Sequence, residues 1–250
     1  MAGHSKWANI QHRKGRQDAK RGKLFTKLIR EITVSARMGG GDPSANPRLR
    51  AAIDKARAVN MPNDTIERAV KKGTGELGGV SYEEFSFEAF GPGGTAILLE
   101  IMTDNRNRTT GEIRSLLTKN NGNLGSSGSV AWMFKKHGIV MYDKAAVDEN
   151  RVTDAAIELG ADDVRTDDDS VSVITDPKEF ERIRDGLKAA GLPDPVSAEV
   201  TMIPQNKVHL AGRDAEVALK LLDALEDSDD VQNVYSNLDV DEAELAKIGG

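Results

Sequence analysis

Cysteine does not occur in this 250-residue chain. Its absence excludes disulfides, thiolate catalysis, iron–sulfur clusters and cysteine-bound zinc. Long apolar runs are missing too. Stretches such as Ala96–Leu99 are far too short to span a bilayer, and the N-terminus has no signal-peptide apolar region. Aromatic residues are scarce, at 4%. What is present, 38% hydrophobic and 30% charged residues, suits a soluble globular protein with more than one core. A cytoplasmic protein with no membrane partner is the simplest expectation.

Motifs of catalysis and cofactor binding fail on their context. Gly73-Thr-Gly75-Glu-Leu-Gly78 has dinucleotide-type spacing but follows a helix end, so the tight strand-to-helix phosphate turn is not available. Gly22-Lys23 lacks the hydroxyl residue and upstream glycine of a phosphate loop. Gly125-Ser-Ser-Gly128 has no nearby histidine and reads as a flexible loop, not a nucleophile elbow. His4, His12, His137 and His209 have no metal-ligand spacing, and Asp167-Asp168-Asp169 lacks the alternating ligands of a calcium loop. No catalytic residue, metal, cofactor or small-molecule substrate is expected, and an enzyme is not.

Charge is where the sequence becomes informative. The formal net charge is −6, but residues 1–72 hold 17 Lys and Arg against 6 Asp and Glu, a net of +11. Residues 73–250 hold 17 against 34, a net of −17. A basic segment is joined to an acidic body.

From Gln17 to Met38, Leu24, Phe25, Leu28, Ile29 and Ile32 fall on one helical face, and Arg16, Lys20, Lys23, Lys27, Arg30 and Arg37 on the other. The glycines at 39–41 stop this helix. A second helix starts near Pro47 and turns Leu49, Ala52, Ile53, Ala56 and Val59 inward. Asp64-Thr-Ile-Glu67 reads as a capping box for a third, ending at Gly73. Lys6, His12, Arg13 and Lys14 precede this unit, with Trp7 among them. An indole there either stacks on a base or packs into the small core. The cationic face is predicted to grip phosphates, with the Asp-rich part of the body turned away.

The body reads as α/β. Tyr82–Phe90 and Thr95–Met102 form a hairpin, a helix follows at Thr109–Asn120, and Ser129–Phe134 is predicted as a strand. Strands at Ile139–Tyr142, Val164–Arg165, Val171–Thr175 and Ala198–Ile203, with helices at Asp148–Leu159 and Pro177–Ala190, give the order βαββαβ of a ferredoxin-like unit. A last helix and strand, Ala215–Leu225 and Val231–Tyr235, belong with the first hairpin. The expected fold is therefore multidomain α+β: an N-terminal three-helix domain (1–78) and two ferredoxin-like α/β domains, one inserted in the other. The discontinuous domain would comprise 79–135 and 204–240, and the inserted one 136–203. Asp104-Asn-Arg106-Asn-Arg108-Thr-Thr110 offers either a helix start capped by Thr109 or Thr110, or a second nucleic-acid contact through Arg106 and Arg108.

Gly3-His-Ser-Lys-Trp7-Ala-Asn-Ile10, Gln17-Asp-Ala-Lys-Arg-Gly-Lys23, Phe25-Thr-Lys27, Gly39-Gly-Gly-Asp-Pro43 and Asn46-Pro-Arg-Leu-Arg50 are long, specific motifs. With Tyr82-Glu83, Gly91-Pro-Gly-Gly94, Asp104–Thr109, Gly122-Asn-Leu-Gly125, Gly128-Ser-Val130 and Met202-Ile-Pro204, the sequence resembles the YebC-type family almost end to end. Members are labelled bacterial transcriptional regulators and have mitochondrial translational activators as relatives. The resemblance implies a helical first domain, two α/β domains, a cytoplasmic location and no cofactor. The family's opening motif begins at residue 3, which argues against a presequence. Asn121 stands where the family often has Gly.

These observations lead to a nucleic-acid-binding regulator of gene expression, a DNA-binding transcriptional regulatory protein. The alternatives are a ribosome-associated translation factor on ribosomal or transfer RNA, and a non-enzymatic adaptor that uses the acidic body as its interface. No helix carries an obvious set of base-reading side chains, which favours recognition of backbone or shape in DNA or RNA.

Overall fold

The computed structural model describes residues 21–78, 81–167, 169–241 and 244–245. Seven α-helices and ten strands are found among them. The predicted apolar periodicity builds the first unit. Helix α1 (Arg21–Gly39) places Leu28 and Ile32 against Leu49, Ala52, Ile53 and Ala56 of α2 (Pro47–Ala58) and Ile66 and Ala69 of α3 (Asn63–Gly73). Leu24, Phe25, Ile29 and Val59 pack at its edge. Gly40 stops α1 with φ 86. Asn46 then caps α2, accepting from the Leu49 amide and donating to the Ser35 and Gly40 carbonyls. One buried amide thus fixes the turn between α1 and α2 by satisfying both helix ends.

The capping box is not realised in α3. That helix begins two residues earlier, after Pro62, and has no side-chain cap; Asp64 lies inside the first turn and pairs with Arg68 at 2.6 Å.

Strands β1 (Glu83–Phe90) and β2 (Ala96–Thr103) form the predicted antiparallel hairpin, with Glu83 opposite Thr103 and Phe90 opposite Ala96. Helix α4 (Arg106–Lys119) follows, then the short strand β3 (Asn123–Leu124). Far along the chain, α7 (Gly212–Glu226) and β9 (Val231–Ser236) complete the layer, in the order β3-β1-β2-β9. One sheet face packs Ile97, Leu99 and Ile101 against Ile113 and Leu117 of α4 and Leu221 and Leu225 of α7. Its other face, through Ala96 and Leu98, meets Val130 and Phe134, where the chain crosses into the second sheet. Central strand β2 is accordingly apolar on both faces, which is why its sequence does not alternate.

The second sheet comprises β4 (Phe134–Asp143), α5 (Glu149–Glu158), β5 (Asp163–Thr166), β6 (Ser170–Thr175), α6 (Phe180–Ala189) and β7 (Ser197–Pro204). All its pairs are antiparallel, in the order β5-β6-β4-β7. Val140, Tyr142, Val171 and Val173 pack on α5 and α6. Connectivity differs between the sheets: a tight turn joins the two central strands of the first, whereas α5 and β5 intervene in the second. Strands β8 (Val208–His209) and β10 (Leu238–Asp239) make a small parallel pair beside α7.

Ser129–Phe134 is not a separate strand. It is a turn and one 3-10 turn, Ala131–Met133, leading into β4, which starts at Phe134. The reason is Glu88, a buried carboxylate on β1 that accepts the amides of Gly128, Val130 and Ala131 at 2.6, 2.5 and 2.7 Å. Amides aimed at one carboxylate cannot join a ladder. The place beside β1 goes to β3, which pairs with Ala89 and Phe90. Asn121, just before it, has φ 57, a left-handed conformation that asparagine tolerates better than other side chains.

Candidate nucleic-acid interface

Lys6, Trp7, His12, Arg13, Lys14, Arg16 and Lys20 lie outside the described residues. The rest of the cationic face belongs to α1, and Lys23, Lys27 and Arg30 do not form an open ridge. They meet the acidic body. Lys23 donates to the Asp227 carbonyl at 3.0 Å and lies 3.6 Å from its carboxylate; Lys27 donates to the Glu226 carbonyl at 2.6 Å. These carbonyls end α7, where a helix exposes unpaired acceptors and the negative end of its dipole. Burial lowers the Lys27 pKa, and Glu226, Asp227 and Asp229 oppose that shift.

Arg30 reaches the Met102 and Asp229 carbonyls and pairs with Asp230 at 2.5 Å. Its guanidinium also lies over the Tyr82 ring, 5.6 Å from the centroid. Asp230 is only 3% exposed, and four side chains donate to it. Besides Arg30, these are Arg108 at 2.8 Å, Thr109 at 2.7 Å and Thr103 at 3.2 Å. Burial alone would raise the carboxyl pKa. The hydrogen bonds from Arg108, Thr109 and Arg30 outweigh it and hold the group at about 2. Asp230 is thus ionised at neutral pH and joins the helical unit to the first sheet.

Other cations of the helical unit turn the same way. Arg48 bridges Glu31 of α1 and Glu84 of β1, which raises its pKa, and Arg37 donates to Ser81. At Lys23, Lys27 and Arg30 the cationic face of α1 is therefore covered by the 226–230 segment of the acidic body. Opposite charges within one chain satisfy each other first. Lys55, Arg57 and Lys71 are exposed on α2 and α3, with no ion pair among the described residues.

The Asp104–Thr110 segment has a structural assignment as well. Asn105, not Thr109 or Thr110, caps α4 by accepting the Arg108 amide at 3.0 Å. Buried Thr109 serves Asp230. Arg108 is held by Asp104 and Asp230, which raises its pKa. Arg106 lies over Phe85 at 4.3 Å, 4.0 Å from Glu83, with its side chain 59% exposed. Of the two predicted contact arginines, Arg106 is the more available.

A cleft of about 990 Å³ opens between α1, α4 and the 227–230 turn. Lys23, Arg30 and Arg108 line it together with Glu112, Asp227 and Asp229, so it presents both signs of charge. Sequence reasoning missed Asp230 because the run at 227–230 looks like any solvated acidic turn. The available signal was the complementarity itself: a cationic helix face in the same chain as a body of opposite charge.

Comparison with known proteins agrees with this architecture. Residues 5–76 match the family model described as the TACO1/YebC protein N-terminal domain, and residues 82–238 the model of the TACO1/YebC second and third domain. A probable transcriptional regulatory protein of Geotalea uraniireducens is 58% identical over 99% of this chain and 100% of its own length. One from Geobacter sulfurreducens is 59% identical with the same coverage. The crystal structure of a conserved hypothetical protein from Aquifex aeolicus is similar with a TM-score of 0.78 and 45% identity, covering 90% of this chain and 93% of that one. The chain belongs to the TACO1/YebC family.

Proposed function

We propose that the protein is a nucleic-acid-binding regulator of gene expression, acting as a DNA-binding transcriptional regulatory protein in the cytoplasm. It works by binding, without catalysis or a cofactor. The observation that carries this reading is the charge partition, +11 over residues 1–72 against −17 over the remainder. The cations of α1 that meet the body fix how the helical domain sits on it. Phosphate binding then falls to Lys6, His12, Arg13, Lys14, Arg16 and Lys20, with Trp7 among them, and to the outward Lys55, Arg57 and Lys71. The relatives carrying the name of probable transcriptional regulatory protein support the assignment. The proposed division is a helical domain at 1–78, a discontinuous domain at 79–135 and 204–240, and an inserted one at 136–203.

One observation favours a second reading, a translation factor on ribosomal or transfer RNA. Recognition helices read base edges with their N-terminal residues. Here α3 starts with exposed Asp64 and Glu67, and Asp64 already holds Arg68. Carboxylates at that end disfavour its insertion into a groove as a base reader, which leaves recognition of backbone and shape to other parts of the domain, in RNA as well as in DNA.

Binding of the full chain to duplex DNA and to structured RNA, followed across salt concentration, tests the proposal. With about six phosphates neutralised, log affinity on duplex falls against log salt with a slope near −5. A flat response overturns the reading. Arg13→Glu with Lys14→Glu and Arg16→Glu should abolish binding and leave thermal unfolding unchanged; retained binding moves the site elsewhere. Crosslinking in cells then separates promoters from ribosomal RNA.

A further inference from the structure

Trp132 is 61% exposed although the residues on either side are anchored. Val130 and Phe134 are 0% and 6% exposed and belong to the apolar cluster between the two sheets. Glu88 clamps the amides of Gly128, Val130 and Ala131, and the Met133 carbonyl accepts the Gln205 amide at 2.8 Å. The indole N–H donates to the Ser129 carbonyl at 3.2 Å. A large aromatic ring is thereby held out from the surface on a fixed pedestal, with its polar edge already satisfied and little further ordering needed on contact.

Two cations follow at once. Lys135 and Lys136 are exposed, with no ion pair among the described residues. This contrasts with Lys144, Arg165, Arg182, Arg184 and Lys188 of the same sheet unit, each paired with a carboxylate. Lys135 and Lys136 lie three and four residues beyond Trp132, at most about 11 and 14 Å of extended chain, and as neighbours on β4 they project to opposite faces, so one cation stands on either side of the strand that leads from the ring. Both lie in the part of the chain whose net charge is −17, which makes this a local cationic and aromatic island in an acidic body.

We infer that Trp132, Lys135 and Lys136 form a second contact for nucleic acid, selective for unpaired nucleotides. The indole would stack on a base and the lysines neutralise the flanking phosphates. A base inside a duplex is already stacked on both sides, so the ring cannot reach its face without unstacking it. Single strands, loops and bulges offer it freely. The inference rests on the nucleic-acid reading above and adds to it the class of ligand bound by the body.

The full chain is titrated with a labelled oligouridine of about 12 nucleotides, within the usual span of one single-strand site, and separately with a DNA duplex. Trp132→Ala should weaken oligouridine binding roughly 5- to 150-fold and Trp132→Phe much less, with duplex binding changed under twofold. Lys135→Gln with Lys136→Gln should make the salt slope on oligouridine shallower by about 1.4, two phosphates' worth on a single strand. Photocrosslinking to a 4-thiouridine oligonucleotide should place the adduct on residues 130–136. The inference is overturned if Trp132→Ala binds oligouridine like the parent, if it weakens both ligands equally, or if the adduct lies elsewhere. Arg13→Glu with Lys14→Glu and Arg16→Glu keeps the two proposals apart. Duplex binding lost there but oligouridine binding unaffected by Trp132→Ala refutes only this contact, whereas a parent that binds neither ligand refutes both.

Discussion

Replacing Asp230 by Asn tests the junction between α1 and the first sheet most directly. The side chain keeps its size but loses its charge, and one of its two acceptor positions becomes a donor facing a guanidinium or hydroxyl donor. A carboxyl held at about 2 instead of its ordinary 3.8 is worth about 2.5 kcal/mol of folding stability at neutral pH. Leaving Arg30, whose side chain is 14% exposed, beside an amide adds to the loss, whereas Arg108 at 43% can turn to water and Asp104. The expected total is about 2–4 kcal/mol, read by urea unfolding at pH 7. The sign with pH is also fixed. Because the folded-state pKa is depressed, the stabilisation is complete above about pH 5 and is lost as pH falls towards 2. By pH 3 about half of the linkage contribution should be gone, so the gap between parent and Asp230→Asn narrows on acidification. A variant within about 0.5 kcal/mol of the parent at pH 7, or a gap that widens between pH 5 and pH 3, would refute the assignment of Asp230 as the ionised anchor.

Glu88→Gln should cost about 2–3 kcal/mol, because an amide cannot accept three backbone N–H groups; hydrogen exchange should show protection lost at Gly128, Val130 and Ala131. Gly73→Ala places a methyl 2.3 Å from the Thr33 carbonyl oxygen and 2.7 Å from the Ala36 methyl, so α3 must move off α1; a loss of about 1–3 kcal/mol is expected in thermal unfolding. At Asn121, φ 57 makes Gly neutral within about 0.5 kcal/mol and Val destabilising by about 1–2 kcal/mol, and equal effects of the two would refute the conformational argument.

Most of the element order was readable from periodicity. The α1 pattern places Leu28 and Ile32 in the core, and the βαββαβ order emerges from alternating segments of ordinary length. The misread places share a cause. Ser129–Phe134 has strand-like composition, but its conformation is set by Glu88, some forty residues away, and no local pattern reports a carboxylate that collects distant amides. Thr109 resembles a helix cap, yet its hydroxyl is committed to Asp230 across the sheet. At the candidate interface the types of residue were legible and their exposure was not. Helical spacing says that Lys23, Lys27 and Arg30 share a face; only tertiary packing says that the face is covered.

That covering also sorts the cations by what a phosphate could take from them. Removing Arg30 from Asp230 would leave a carboxylate that is 3% exposed short of the more buried of its two guanidinium partners, a change that costs about 3–5 kcal/mol when a buried pair is broken. One phosphate contact does not repay that, so Arg30 stays with the body while nucleic acid is bound. Lys23 differs. Its side chain is 47% exposed and its carboxylate partner lies 3.6 Å away and 37% exposed, a geometry worth less than about 1 kcal/mol and weakened by salt. The boundary between structural and exchangeable charge on α1 therefore falls between Arg30 and Lys23, on the side of the helix that leads to the predicted phosphate-binding residues 6–20. Raising salt should weaken nucleic-acid binding well before it loosens the Arg30–Asp230 junction, because the exposed charges are screened and the buried pair is not.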